Sequence, residues 1–206
     1  MKISLTDAGK RFNRDWIFRH FTYTFETGNA YAITGPNGSG KSTLLQVLSG
    51  NTMMNEGKGI WTTAEGKDAG EDLYSLVSIC APYLEVVEEM TLAEFLDFHS
   101  GFKPFLNGVT KESIISNLGL EKAANKQIRY YSSGMKQRVK LAQCIFSNSA
   151  IVLLDEPCTN LDAAGIAQYH QLINDYCKTR LVIVSSNDEV EYKFCNEKLN
   201  ISDYKH

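Results

Sequence analysis

The stretch TGPNGSGKST, residues 34–43, lies between the short apolar run AYAIT, residues 30–34, and the run LLQVLSG, residues 44–50. The first run is β-prone; the second has helical spacing and ends on a glycine suited to close a helix. A strand, a glycine-rich turn and a helix are therefore expected. Gly35, Gly40, Lys41 and Ser42 satisfy G-x-x-x-x-G-K-[ST], a pattern whose glycines let backbone N–H groups curl around a phosphate that also faces the helix N-terminus. In that pattern Lys41 reaches the β- and γ-phosphates and Ser42 a magnesium ion. The stretch implies a nucleotide ligand.

The whole chain sets bounds on what such a ligand is used for. Its 206 residues, 43% apolar and 22% charged, have the make-up of one globular functional unit. Lys and Arg number 21 against 24 Asp and Glu, a formal charge of -3, so no basic excess argues for a nucleic-acid partner. The longest purely aliphatic runs, IVLL at 151–154 and LVIV at 181–184, are far shorter than the roughly 20 residues that span a bilayer. The opening MKISLTDAGKRF has no apolar signal region, which argues for a cytosolic product. Cys80, Cys144, Cys158, Cys177 and Cys195 are odd in number and form no C-x-x-C pair, so neither a disulfide framework nor a zinc site is expected. Cys80 and Cys144 lie in apolar sequence and read as core thiols.

Along the chain, KISL (2–5), HFTYTF (20–25) and AYAIT read as short strands separated by the turn formers DAG (7–9) and TGN (27–29), a β-rich lobe leading into the phosphate loop. Residues 51–70 are polar and glycine-rich, with GIWTT (59–63) as one arm of a hairpin. TLAEFLDFH (91–99) and KESIISNLGL (111–120) carry helical periodicity, and Thr91 with Glu94 makes a capping box. Then follow the helix GMKQRVKLAQCIF (134–146), the buried strand AIVLLDE (150–156), a helix around AAGIAQYHQLINDYC (163–177) and the buried strand RLVIVSS (180–186). Strands alternating with helices behind a phosphate loop imply an α/β core with a parallel sheet.

Two further motifs carry chemistry. IVLLDE places Asp155 and Glu156 at the sheet's carboxyl edge, where Asp155 is suited to a magnesium shell and Glu156 to polarising an attacking water. In YYSSGMKQRVKLAQCIF (130–146), Ser132, Ser133 and Gly134 form a second small-residue turn at a helix N-terminus, a second candidate anion site. The order of phosphate loop, YSSGMKQR, IVLLDEP and TNLD strongly resembles the nucleotide-binding subunits of ATP-binding cassette (ABC) proteins, over essentially the whole chain. YSSGMKQR resembles the family signature LSGGQxQR, with Ser133 in place of a glycine and Met135 in place of a glutamine.

That resemblance implies a phosphate-loop NTPase core with a mainly parallel sheet, an N-terminal antiparallel β lobe and a small helical lobe. It implies a single domain over 1–206, in which about 1–80 and 147–206 form the ATP-binding core and about 83–146 the helical lobe. ATP and Mg2+ are the implied cofactors, with Asn37, Gly38, Ser39 and Thr43 joining Gly35, Gly40, Lys41 and Ser42 around the phosphates. A head-to-tail homo- or heterodimer is implied, in which Ser132, Ser133, Gly134 and Met135 of one subunit close on the ATP held by the other. TNLD (159–162) matches the family's D-loop, which puts Asp162 at the dimer seam. Phe12 lies where the family often stacks an aromatic residue on adenine, with Trp16 as its rival.

Two family residues are replaced. Pro82 stands where the Q-loop glutamine is expected, and Asn187 where the switch histidine is expected. Asparagine can hydrogen-bond a γ-phosphate but has no protonatable ring, so Asn187 joins Glu156 as a catalytic candidate and slow turnover is expected. The resemblance points to the ATPase subunit of an ABC transporter, at the cytoplasmic face of the membrane, powering separate membrane-spanning subunits that dock near YLEVV (83–87) and FLDFH (95–99). A soluble ABC ATPase without a membrane partner is the alternative. A guanine-specific GTPase is disfavoured, because the NK pair at 125–126 is followed by Gln127 and Ile128 and not by the acid of N-K-x-D.

Overall fold

A computed structural model describes residues 1–70 and 72–205. Two long strands, β1 (Lys2–Phe12) and β2 (Asp15–Glu26), come first. Next, β3 (Ala30–Thr34) runs into the phosphate loop and α1 (Lys41–Leu48), followed by β4 (Glu56–Thr62), α2 (Leu73–Leu76) and β5 (Val77–Cys80). The helices α3 (Leu92–Phe102), α4 (Lys111–Leu118) and α5 (Ser133–Ile145) fill the middle of the chain. It closes with β6 (Ile151–Asp155), α6 (Ala163–Tyr176), β7 (Leu181–Ser185), α7 (Glu189–Tyr192) and β8 (Glu197–Asn200).

The strands form two sheets: a three-stranded antiparallel sheet in the order β2-β1-β4, and a five-stranded parallel sheet in the order β5-β6-β7-β3-β8. This corrects the expectation for the first 34 residues, because AYAIT belongs to the parallel sheet and not to the β lobe. The DAG stretch is no turn either. Asp7 adopts a left-handed φ of 49°, the β1–β2 register slips between Leu5 and Ala8, and the strand continues through the bulge. His20 across the bulge also has a positive φ, 55°, and its Nδ1 lies 2.7 Å from Asp7 Oδ1.

Alternation along the parallel strands explains their continuous apolar runs. Val152 and Leu154 of β6, Val182 and Val184 of β7 and Ala32 of β3 pack into one cluster with Leu92, Phe95, Ile114, Leu118 and Val139 of the helical segment. Their neighbours Ile151, Leu153, Leu181, Ile183, Tyr31 and Ile33 face the other way, onto α1 and the aromatic face of β2 with Phe18, Phe21 and Phe25. A sheet covered on both faces has no polar side to alternate with. The expected capping box holds: Thr91 Oγ1 accepts from Glu94 N–H, and Glu94 Oε2 accepts from Thr91 N–H at 2.8 Å.

The amino edge of the sheet is tied by Arg180, which is 6% exposed. Its Nε donates to Ser149 O at 2.7 Å, Nη1 to Ile145 O at 2.6 Å and Nη2 to Ser147 O at 3.0 Å. These carbonyls close α5 and the link to β6, so the guanidinium meets the negative end of a helix. Among the described residues no carboxylate pairs with it. Arg180→Ala leaves Ser149 O and Ile145 O buried without this donor, while Ser147 O keeps the Ser149 N–H at 2.9 Å, a cost of about 3 kcal/mol or more. For a chain of this size thermal denaturation should show a midpoint about 6–12 °C lower, and Arg180→Lys should recover only part of it.

Candidate functional site

Gly40 opens α1 with φ 106° and no side-chain cap, so the first N–H groups of the helix are left for a ligand. A Cβ on Gly40 would lie 2.4 Å from Ile17 Cγ2, a clash that only glycine avoids. Lys41 is 5% exposed, and its ammonium donates to Gly35 O at 2.7 Å and Pro36 O at 3.3 Å. A cavity of about 230 Å³ opens over this loop, lined by Asn37, Gly38, Gly40, Lys41, Ser42 and Thr43. Glu156 forms a further wall, and Ile17 of β2 closes the side. Two larger hollows, about 400 and 480 Å³, lie away from the motifs, around His170 and Phe194 and around Trp61 and Leu73.

Phe12 and Trp16 do not line the cavity. Phe12 is 50% exposed at the end of β1, with Lys10 Nζ 5.0 Å from its ring centre. Trp16 has the Arg19 guanidinium 4.6 Å from its ring and that of Arg11 5.4 Å away; Arg19 in turn pairs with Glu56 at 2.9 Å. Ile17 was not legible as a site residue, since nothing local in the sequence brings β2 to Gly40.

At the end of β6, Asp155 is 2% exposed and its Oδ1 is buried with no hydrogen-bond partner. Ser39 Oγ and Ser185 Oγ are buried and unpartnered as well. Glu156 turns out of the strand with φ 45°, a left-handed conformation for a residue with a Cβ, which costs on the order of 1–3 kcal/mol unless its surroundings hold it. Its N–H donates to Ser185 O at 2.9 Å, and the turn beyond it closes through Thr159 N–H to Glu156 O and Leu161 N–H to Cys158 O. Gln137 Nε2 of α5 donates to Pro157 O at 2.7 Å.

Beyond β7, Asn187 Oδ1 accepts from Gly35 N–H at 3.1 Å, and its Nδ2 donates to Asn37 Oδ1 at 3.3 Å. Both ends of this amide thus rest on the phosphate loop. Farther on, Glu191 is 5% exposed and its Oε1 accepts from Cys158 N–H at 2.7 Å. Burial raises the Glu191 carboxyl above its ordinary value, opposed by hydrogen bonds from Ser186 and Cys158. No motif in the sequence marks Glu191.

The small-residue turn lies elsewhere. Ser132 caps α5, its side chain accepting from Met135 N–H at 3.2 Å. Ser132, Ser133, Gly134 and Met135 share a hollow of about 260 Å³ with Arg138 and Asp162. A Cβ on Gly134 would sit 2.9 Å from Asn160 O. Asp162 caps α6 through Gly165 N–H at 2.8 Å and lies 3.5 Å from Arg138 Nη2. This hollow and the phosphate-loop cavity have no lining residue in common.

Pro82 is exposed, and its carbonyl accepts from Lys140 Nζ at 3.2 Å. Of the apolar residues expected around it, Tyr83, Val87 and Phe98 are 48%, 37% and 45% exposed, while Val86 and Phe95 are buried in the core. Within α3 helical spacing decides the split, because Phe95 and Leu96 face inward whereas Phe98 and Phe102, four residues apart, meet edge to face at 5.0 Å on the outside.

A family model described as ABC transporter matches residues 18–159. A Bacillus subtilis protein, the uncharacterized ABC transporter ATP-binding protein YybJ, is 30% identical over 209 aligned positions covering 97% of this chain and 92% of that one. Other curated relatives are longer, and the chain spans 22% of one and 61% of another. Among solved structures, a putative ABC transporter ATP-binding protein from Pyrococcus furiosus superposes with a TM-score of 0.82 at 24% identity, each chain covered completely. The dimeric structure of MJ0796, a bacterial ABC transporter cassette, gives 0.81 at 20% identity over 97% of this chain and 94% of that one. The phosphate loop, the acid-ended strand and the capped small-residue turn thus occur together in a fold shared with such cassettes, and the chain belongs to the ABC transporter family as an ATP-binding protein.

Proposed function

We propose that the chain hydrolyses ATP to drive separate membrane-spanning subunits, and that it does so as a head-to-tail dimer. One observation carries the reading. The phosphate-loop cavity and the Ser132–Met135 hollow are separate, so each chain offers two unlike halves of a site, and a second cassette is needed to bring one half onto the other. Ser132 and Gly134 then close over the γ-phosphate of the nucleotide bound by the opposite Lys41, with Asp162 beside the seam. The related cassette MJ0796 is described as dimeric.

The residues present fit a magnesium ion. Asp155 Oδ1 is buried without a partner, a state that costs free energy unless a ligand reaches it. Among the described residues no three His, Cys, Asp or Glu side chains gather as a ligand set, which suits a cation held by one or two protein oxygens and by phosphates. Ser42 and Asp155 would hold it, and when bound it would neutralise charge on the transferring phosphoryl group. The chain's own part is positioning: the α1 N-terminus and Lys41 bind the phosphates, and Glu156 in the cavity wall accepts a proton from the attacking water. Pro82 brings no side-chain donor or acceptor where the family's glutamine stands, so turnover is slow.

Among the described residues no helix is long and apolar enough to cross a membrane. A membrane-spanning partner fits against the exposed Tyr83, Val87, Phe98 and Phe102, at the cytoplasmic face of the membrane.

Calorimetry on Lys41→Ala should show ATP affinity lower by on the order of a hundredfold, the loss of charge-assisted hydrogen bonds to phosphate. Glu156→Gln should keep nucleotide binding while steady-state turnover falls about a hundredfold or more, leaving an ATP-bound dimer visible by size-exclusion chromatography. Phe98→Glu should keep the isolated chain's ATPase rate but reduce its co-purification with a membrane protein. A parent chain that captures no membrane protein would instead favour the soluble ATPase.

A further inference from the structure

In the sheet order, β7 lies between the strand that enters the phosphate loop and the strand that ends on the acids. The segment leaving β7 must therefore pass between the two halves of the site, and it bonds to both. On the β3 side, Ser186 N–H donates to Ile33 O at 3.1 Å, and Asn187 holds Gly35 N–H and the Asn37 side chain. On the β6 side, Ser185 O accepts from Glu156 N–H, and Glu191 accepts from Cys158 N–H. The segment is itself fastened: Asp188 caps the turn through Val190 N–H at 3.0 Å, and Glu191 O accepts from the hydroxyl of the fully buried Tyr169 at 2.9 Å.

We propose that Ser185–Glu191 is a brace that sets both halves of the nucleotide site, with Asn187 positioning the phosphate loop and Glu191 positioning Glu156. The inference rests on the ATPase reading above. It gives Asn187 a role other than the γ-phosphate contact expected from its place in the sequence, because both ends of its amide are already engaged by the loop. It gives a purpose to a buried carboxylate that no ion pair explains among the described residues. Glu156 holds a left-handed φ of 45°, and such a conformation persists only where its surroundings over-determine it. Gripping the amide two residues further along is how Glu191 does so.

The two arms of the brace have separable readouts on the full-length chain. Removing a loop-positioning residue weakens every ligand that uses the loop's phosphate cradle. Asn187→Ala should therefore raise the Kd of ADP and of a non-hydrolysable ATP analogue by the same factor, about fivefold, the value of one hydrogen bond between neutral groups. Asn37→Ala should give part of the same loss, and the double variant less than the two losses combined. A loss confined to the ATP analogue would mean that Asn187 touches the γ-phosphate, and no loss for either ligand would mean that the loop needs no brace; both outcomes overturn this arm.

For the other arm, Glu191→Asp keeps a carboxyl group but falls one methylene short of the Cys158 amide. Its kcat should fall about tenfold or more, as misplacement of a reacting group does, with the Kd of ADP within twofold of the parent. Glu191→Gln retains an acceptor oxygen and should restore most of the rate. A Glu191→Asp protein at parental kcat, or one whose kcat and ADP binding fall together, would overturn the positioning role. The controls separate the two levels. If Lys41→Ala and Glu156→Gln leave binding and turnover intact, the ATPase reading fails and takes the brace with it; if they act as expected and the brace variants do not, the brace alone is wrong.

Discussion

The parallel pairing of β7 between β6 and β3 is the constraint on which the site depends. It brings Thr34, Asp155 and Ser185 to one edge of the sheet, though these residues belong to segments far apart in the chain. Because the strands run the same way, each ends where a loop can leave, so the phosphate loop, the acids and the segment carrying Asn187 emerge side by side. Burial of both sheet faces fixes the register. A one-residue slip of β7 would exchange Val182 and Val184 for Leu181 and Ile183 between two differently shaped clusters.

Much of this was legible in the sequence because the informative signals are local. Lys41 follows a glycine turn and opens a helix within a few residues, and Asp155 ends an uninterrupted aliphatic run; both patterns are short enough to be read without knowing what packs on them. The Thr91–Glu94 capping box is legible for the same reason. What escaped was set by distant contacts. DAG looks like a turn, but pairing of β1 on both edges carries the strand through it, with register shifts on either side of Ala8 and a positive φ at Asp7. AYAIT follows two antiparallel strands in the chain yet pairs with β7 and β8.

The candidate site shows the same division. Gly35, Gly40, Lys41, Ser42 and Glu156 are brought to one place, as their motifs imply. Ile17 was invisible because its partner, Gly40, is reached only through the packing of the β lobe on α1. Phe12 is placed on the surface beside Lys10, outside the cavity lining. Glu191 has no sequence signal at all, since a glutamate on a short helix normally faces water and this one is turned inward to the Cys158 amide.

The backbone of Glu156 carries an evolutionary consequence. Asparagine or glycine tolerates its left-handed conformation better than glutamate does, so a selection for thermal stability alone would pull this position away from an acid. A lineage that stopped needing turnover but still needed the fold should drift there early, trading the carboxylate for a more relaxed chain. On the role proposed for Glu156, the identity of that one residue would record whether a cassette of this shape is still under selection as an engine or only as a scaffold.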